Sequence, residues 1–88
     1  MRLKSDFELV DIAGEKLAVP VGATASTFDG VVALSEAAFY LLGALKEPKT
    51  EEDLISLLTQ SYEVDDATAR ADVDSFVGSL LSVGLIEL

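Results

Sequence analysis

The sequence predicts an α+β fold in which a three-stranded antiparallel sheet is followed by three helices. Two observations indicate this class. Strand-forming residues and turn signals alternate in the first third of the chain, whereas apolar residues after position 35 recur at the three-and-four spacing of helices. Since 88 residues suffice for one hydrophobic core, we expect residues 1–88 to form a single domain. The predicted strands cover residues 7–12, 16–21 and 31–34, and the predicted helices cover 35–46, 50–62 and 65–83.

Two short runs near the start predict a hairpin. The run FELVDI at 7–12 is rich in strand formers, and Ala13-Gly14-Glu15 supplies a turn before KLAVPV at 16–21. Pro20 has no N–H group, so we expect it at a strand end or a sheet edge. The first two strands are therefore adjacent and antiparallel.

The third strand follows a loop and is brief. Small and polar residues at 23–27 predict a loop, and Phe28-Asp29-Gly30 predicts a turn before Val31-Val32-Ala33-Leu34. Three short strands cannot bury two faces by themselves. We expect the helices to cover one face and to leave at least one strand edge open.

The first two helices are marked by their caps. Ser35 is a candidate N-cap for a helix that is apolar on nearly every side, which predicts a central position in the core. Pro48 ends this helix, because the residue before a proline avoids the helical region. Thr50 and Asp53 then have the spacing of a capping box that opens the second helix. The predicted inner faces of the two helices comprise Ala38, Leu41, Leu42, Leu45, Leu54, Leu57, Leu58 and Tyr62, with Phe39 and Tyr40 beside the first of them.

The last helix has the clearest amphipathic pattern in the chain. Asp65 or Asp66 supplies the N-cap oxygen, and Gly84 stands where a left-handed residue ends a helix. A buried stripe is predicted between these ends. Its members are Ala69, Val73, Phe76, Val77, Leu80 and Leu81.

The two flanks of this stripe differ. One flank has the composition of a solvated face, with Thr68, Asp72, Ser75 and Ser79. The other is built from small residues, with two charged residues between them and the stripe: Ala67, Ala71 and Gly78, then Arg70 and Asp74. A glycine inside a helix costs about 0.5–1 kcal/mol relative to alanine. Gly78 therefore indicates either close packing inside the domain or one wall of a groove for an extended ligand.

Composition excludes several classes of function. Sixteen acidic and six basic residues give a net charge of −10, which opposes binding to nucleic acid. Without cysteine or histidine, the commonest metal, haem and thiol sites cannot form, and we expect no cofactor and no metal. No apolar run is long enough for a membrane span, and the acidic start is atypical of a signal peptide, so the expected location is the cytoplasm.

Carboxylates are the plentiful titratable groups, yet they do not suggest a catalytic site. Asp72 and Asp74 point about 200° apart on a helix and cannot form a dyad. The acids at 51–53 are explained by a helix N-terminus. We therefore predict no catalytic residue and no enzymatic activity.

Three phrases of the sequence resemble one known family. They are Gly30-Val31-Val32-Ala33-Leu34-Ser35-Glu36, Thr50-Glu51-Glu52-Asp53-Leu54 and Val64-Asp65-Asp66. In this order, within a strand-and-helix sequence that ends on a Gly-Leu-Ile tail, they resemble the coenzyme PQQ synthesis protein D family. The resemblance covers nearly the whole chain and implies a fold similar to winged helix-turn-helix domains.

The resemblance also implies a function without catalysis. Members of that family recognise the leader of a ribosomally made precursor peptide, which adds as a strand to the third strand and lies beside the third helix. A partner enzyme, often a radical S-adenosylmethionine enzyme, then modifies the peptide. The implied binding residues are Val31, Val32, Ala33 and Leu34 on the strand edge and Ala67, Arg70, Ala71, Asp74 and Gly78 on the helix.

Alternative functions use the same features. A winged-helix DNA-binding protein would contact the DNA bases with the last helix. That helix has four acidic residues and Arg70 as its one basic residue, so it would repel the DNA phosphates. A structural or dimerisation module is the stronger alternative, because an open valine-rich edge pairs with any strand, including that of a second copy. Binding of a leader peptide and formation of a homodimer therefore both remain open from the sequence.

Overall fold

The computed structural model describes residues 1–26 and 30–88 and confirms the predicted α+β class. A sheet of three antiparallel strands precedes three helices along the chain. The elements are β1 (Arg2–Leu3), β2 (Phe7–Ile12), β3 (Glu15–Pro20), a 3-10 helix (Gly22–Ser26), β4 (Val32–Leu34), α1 (Glu36–Ala44), α2 (Glu51–Ser61), α3 (Asp66–Val83) and β5 (Ile86–Glu87). None of the described helices is both long enough and apolar enough to cross a membrane.

The hairpin of β2 and β3 turns on two residues. Ala13 and Gly14 both have positive φ, at 53° and 87°, which matches the twist of the flanking strands. The Gly14 N–H donates to the Asp11 side chain at 3.1 Å, which holds the turn. The pairing begins with Ile12 opposite Glu15 and ends with Phe7 opposite Pro20. Pro20 thus lies at a strand end, as predicted.

Two parts of the chain differ from the sequence-based prediction. Residues 22–26 form a 3-10 helix, whereas a loop was predicted at 23–27. The last residue of that predicted loop, Thr27, and the first two of the predicted turn, Phe28 and Asp29, lie outside the described residues. The second difference is a small sheet in which β1 pairs with β5. Strands of two residues have no detectable periodicity, so they cannot be predicted from alternation.

The helix ends agree with the predicted caps. The side chains of Ser35, Thr50 and Asp65 each accept a hydrogen bond from the backbone N–H of the residue three positions later. Thr50 and Asp53 complete a capping box, and Gly84 adopts the left-handed conformation with φ of 78°. The hydrogen bond from the Thr50 N–H lowers the pKa of Asp53, and the one from the Thr68 N–H lowers the pKa of Asp65.

The core lies where the three helices meet the inner face of the sheet and the β1–β5 pair. Its fully enclosed side chains include Leu42, Leu45 and Leu54. Helix α1 contacts α2 and all three strands of the larger sheet, which confirms its predicted central position. The prediction that Leu81 belongs to the buried stripe is wrong, since this residue is 38% exposed, and the burial of Ile55 was not predicted. The described buried residues are Leu3, Phe7, Ala18, Leu41, Leu42, Leu45, Leu54, Ile55, Leu58, Ala69, Val73, Val77, Leu80, Leu85 and Ile86.

Candidate functional site

Strand β4 forms one edge of the three-stranded sheet. The strand order is β2-β3-β4, and no described residue pairs with the outer side of β4. Val31, just before the strand, is 53% exposed. The predicted run at 31–34 is thus at an open edge, with the strand itself beginning one residue later than predicted.

The register shows which backbone groups of β4 point outward. Ile12 and Glu15 close a two-residue turn, so they form a hydrogen-bonded pair, and such pairs alternate along an antiparallel ladder. Leu17 therefore bonds toward β2, whereas Lys16 and Ala18 bond toward β4.

The partners of Lys16 and Ala18 on β4 are Leu34 and Val32. These two residues use their backbone groups inside the sheet. Ala33, between them, has an N–H and a C=O that point away from β3. Its side chain is exposed, while those of Val32 and Leu34 pack against the core. An added strand would therefore bond to Ala33.

A groove of about 370 Å³ lies between the beginning of α1 and one side of α3. Apolar residues form much of its lining, and three serines and one carboxylate add polar groups. Its described lining residues are Ser35, Ala37, Ala38, Leu41, Leu58, Asp72, Ser75, Phe76 and Ser79. The groove can accommodate an apolar side chain while offering hydroxyl groups to a peptide backbone.

The groove adjoins the end of β4, because Ser35 directly follows Leu34 and also lines the groove. The Ser35 side chain is held in place as the N-cap of α1, accepting the Ala38 N–H at 3.1 Å. Ala37 and Ala38 have small side chains in the first turn of α1, which leaves space between α1 and α3. Small residues on α1 and the partly buried Phe76 on α3 thus define the shape of the groove.

The flank of α3 that was predicted as the groove wall does not line this groove. The described lining residues of α3 belong instead to the flank that the sequence suggested was merely solvated. A side chain added at Gly78 would meet nothing within 4 Å, so this glycine is explained neither by close packing nor by this groove. The residues of the predicted wall are all exposed: Ala67, Arg70, Ala71, Asp74 and Gly78. Peptide binding at those five residues stays a prediction.

Arg70 is engaged elsewhere. Its guanidinium donates to both carboxylate oxygens of Glu52 on α2, at 2.7 and 3.1 Å, and to Asp66 at 2.7 Å. These hydrogen bonds, above all those that Glu52 accepts, raise the pKa of Arg70. The side chain therefore connects the beginnings of α2 and α3 on the surface.

Sequence reasoning missed Asp72, Ser75 and Ser79 because polar residues beside a helical stripe usually face solvent. One signal was available in Ala37 and Ala38. Two small residues opening an otherwise bulky apolar helix leave room for another chain, and Ser75 and Ser79 lie one helical turn apart on the facing helix.

A known protein family matches most of the chain. A model of the family described as coenzyme PQQ synthesis protein D (PqqD) matches residues 9–86. Among curated proteins, none matches the chain.

Two solved structures have a similar fold. One is described as "TbiB1 in Complex with the TbiA(beta) Leader Peptide", with 21% identity, a TM-score of 0.79, and coverage of 99% of this chain and 95% of that one. The other, "Lasso peptide synthetase B1 complexed with the leader peptide", has 21% identity, a TM-score of 0.74, and coverage of 96% and 93%. The similarity extends over nearly the full length of all three chains.

Proposed function

The chain belongs to the coenzyme PQQ synthesis protein D family, and from this premise we propose that it captures the leader of a ribosomally made precursor peptide and presents it to a modifying enzyme. In this proposal residues 1–88 act as one peptide-recognition domain without catalytic activity of its own. Two proteins of similar fold, each described as a complex with a leader peptide, support the proposal.

One observation carries the proposal: the outward-pointing backbone of Ala33 lies beside an apolar groove. A peptide that adds as a strand gains hydrogen bonds from the edge, and its alternate side chains enter pockets that fix its register. Val31, Val32, Ala33 and Leu34 are the proposed edge residues. For α3 we propose the flank that lines the groove, Asp72, Ser75, Phe76 and Ser79, ahead of the five residues predicted from the sequence.

The chemistry of the groove indicates what kind of leader fits. Leu41, Leu58 and Phe76 favour an apolar side chain in the interior of the groove. Asp72 is the charged residue among the described lining residues, and it favours a basic leader residue at the rim. The proposed leader therefore combines an apolar anchor with a nearby lysine or arginine.

The partner enzyme is proposed on family grounds. A radical S-adenosylmethionine enzyme is the partner that the family resemblance implies, acting with this domain in the cytoplasm. Co-purification of the domain with a candidate enzyme, in the presence and absence of bound leader, tests this part separately from peptide binding.

A selection experiment tests peptide capture even when the precursor is unidentified. Random twelve-residue peptides displayed on phage are selected on the immobilised domain, and an enriched peptide is titrated into ¹⁵N-labelled protein. We expect amide shifts at Ala33 and Phe76. The same peptide with alternate amides N-methylated should lose binding, because it cannot donate ladder hydrogen bonds.

Two outcomes contradict the proposal. Shifts that avoid both β4 and the groove would place peptide binding elsewhere. A domain that is dimeric by sedimentation, with Ala33 at the dimer interface and no affinity for any selected peptide, would favour the dimerisation module instead.

A further inference from the structure

Half of the basic residues in this acidic chain line one cleft. The cleft lies beside β2, at the opposite edge of the three-stranded sheet from β4. The chain has six basic and sixteen acidic residues. Arg2, Lys4 and Lys46 line a cleft of about 520 Å³, with Glu8 as the acidic residue among its described lining residues. The described lining of this cleft therefore has three basic residues and one acidic residue, on a molecule whose overall charge is −10.

The basic side chains differ in how far they are already neutralised. Arg2 is 3.6 Å from Glu87, in a pair with both side chains about half exposed. Gly84 caps the C-terminus of α3, and a Cβ atom at this position would lie 3.7 Å from Lys4 Nζ. A helix C-terminus attracts a cation, so the end of α3 is a favourable position for the Lys4 charge. Lys46 is exposed, two residues after the end of α1.

The same cleft reaches the second open edge of the sheet. Strand β2 is the outer strand opposite β4, and no described strand pairs with its outer side, although its first residue, Phe7, donates its N–H to the Lys4 carbonyl at 3.3 Å. By the alternation set at the Ile12–Glu15 pair, the backbone groups of Leu9 and Asp11 point outward. Since Leu9 also lines the cleft, a strand that bonds to Leu9 would run beside the basic side chains.

We propose that this cleft and the β2 edge form a second docking site, which takes an extended acidic segment of a partner protein. The edge supplies backbone hydrogen bonds, and Arg2, Lys4 and Lys46 select carboxylate side chains. At this cleft charge complementarity favours an acidic segment over a basic one, although the net charge of −10 favours the reverse for the molecule as a whole. The site is separate from β4, so a leader and a partner segment can be bound at the same time.

A pair of charge-inverted probes tests the proposal on the intact domain. One is a fluorescein-labelled decapeptide of alternating glutamate and threonine, and the other has lysine in place of glutamate. We expect the glutamate probe to bind despite the net charge, with amide shifts at Leu9 and Asp11 of ¹⁵N-labelled protein. N-methylation of alternate amides in the probe should abolish binding.

Lys46→Glu and Lys49→Glu form a matched pair of variants, since both change the net charge equally and Lys49 is not among the lining residues of this cleft. Reversing one charge removes an attraction and adds a repulsion, so we expect Lys46→Glu to weaken binding about tenfold and Lys49→Glu to change it less than about twofold. Lys4→Gln provides a second test with a smaller loss.

Several results would overturn the inference. They are equal weakening by Lys46→Glu and Lys49→Glu, shifts at Ala33 instead of Leu9, or no binding of the glutamate probe. Self-association of the domain through Leu9 and Asp11, measured by sedimentation and interface mapping, would identify a second copy as the occupant and also overturn it. The proposed capture of a leader at β4 is unaffected by each of these results.

Discussion

Arg70 on α3 donates two hydrogen bonds to Glu52 on α2, with N···O distances of 2.7 and 3.1 Å. This bidentate pair joins residues that are eighteen positions apart, and a third hydrogen bond reaches Asp66. Spacing along the sequence could not identify this partner on α2. The fold brings the first turns of α2 and α3 together, and Arg70 neutralises part of their acidic charge.

The first prediction follows from this engagement of Arg70. We expect Arg70→Ala to lower the melting temperature slightly, since the ion pairs are exposed, and to change peptide affinity by less than about twofold. Thermal melts and peptide titrations measure the two effects. Glu52→Gln should lower the melting temperature by a similar amount. The double variant should lose less stability than the two single variants lose together, because both single variants break the same ion pair. A tenfold loss of affinity in Arg70→Ala would support the α3 wall predicted from the sequence.

The second prediction concerns acid stability. The folded protein lowers the pKa of Asp65 and of Asp53 below the unfolded value of about 3.9. Their charged forms therefore stabilise the fold above that pH, and this contribution is lost as the pH falls through the lowered pKa. Asp65→Asn keeps a capping oxygen but does not titrate, so the free energy of unfolding should depend less on pH below 5. Denaturant unfolding between pH 2 and 6 measures this slope.

Asp74→Asn is the matched control for Asp65→Asn, because each variant loses one negative charge and only Asp65 caps the helix. If the two variants flatten the pH dependence equally, general charge repulsion and not capping controls acid stability.

Much of the fold could be predicted because its determinants are local. Caps at Ser35, Thr50 and Asp65 and the left-handed Gly84 are each decided by a few neighbouring residues. The hairpin is likewise fixed by its two-residue turn. Such features depend little on the rest of the chain, so the sequence identifies them directly.

The candidate site was predicted less completely because it depends on how elements are placed. The edge at 31–34 follows from the order of strands, but the side of α3 that faces α1 depends on helix packing. A helical wheel gives the angle between Ser79 and Gly78 and cannot say which neighbour each one meets. The small-residue flank thus indicated a wall, whereas the serine flank lines the groove.

The third prediction compares proline substitutions at two residues of β4, one whose N–H points away from β3 and one whose N–H points toward it. Ala33→Pro removes the one outward N–H of the strand without breaking a bond to β3, so we expect peptide affinity to fall by about tenfold or more with a smaller loss of stability. Val32→Pro should instead destabilise the domain, because Val32 bonds to Ala18 within the sheet. Melts and titrations on both variants test this alternation. Equal destabilisation by the two prolines would contradict it.

The last prediction compares one substitution at two adjacent residues of α3. Ser79 lines the groove, and leucine there should fill it and weaken peptide binding about tenfold or more. Gly78 is exposed to open space, and leucine there should leave binding unchanged. Gly78→Leu should also stabilise the domain by about 0.5–1 kcal/mol, since leucine is the better helix former. Affinity and melting temperature measured on both variants decide which side of α3 holds the peptide: loss of binding in Gly78→Leu with retention in Ser79→Leu would assign it to the small-residue flank.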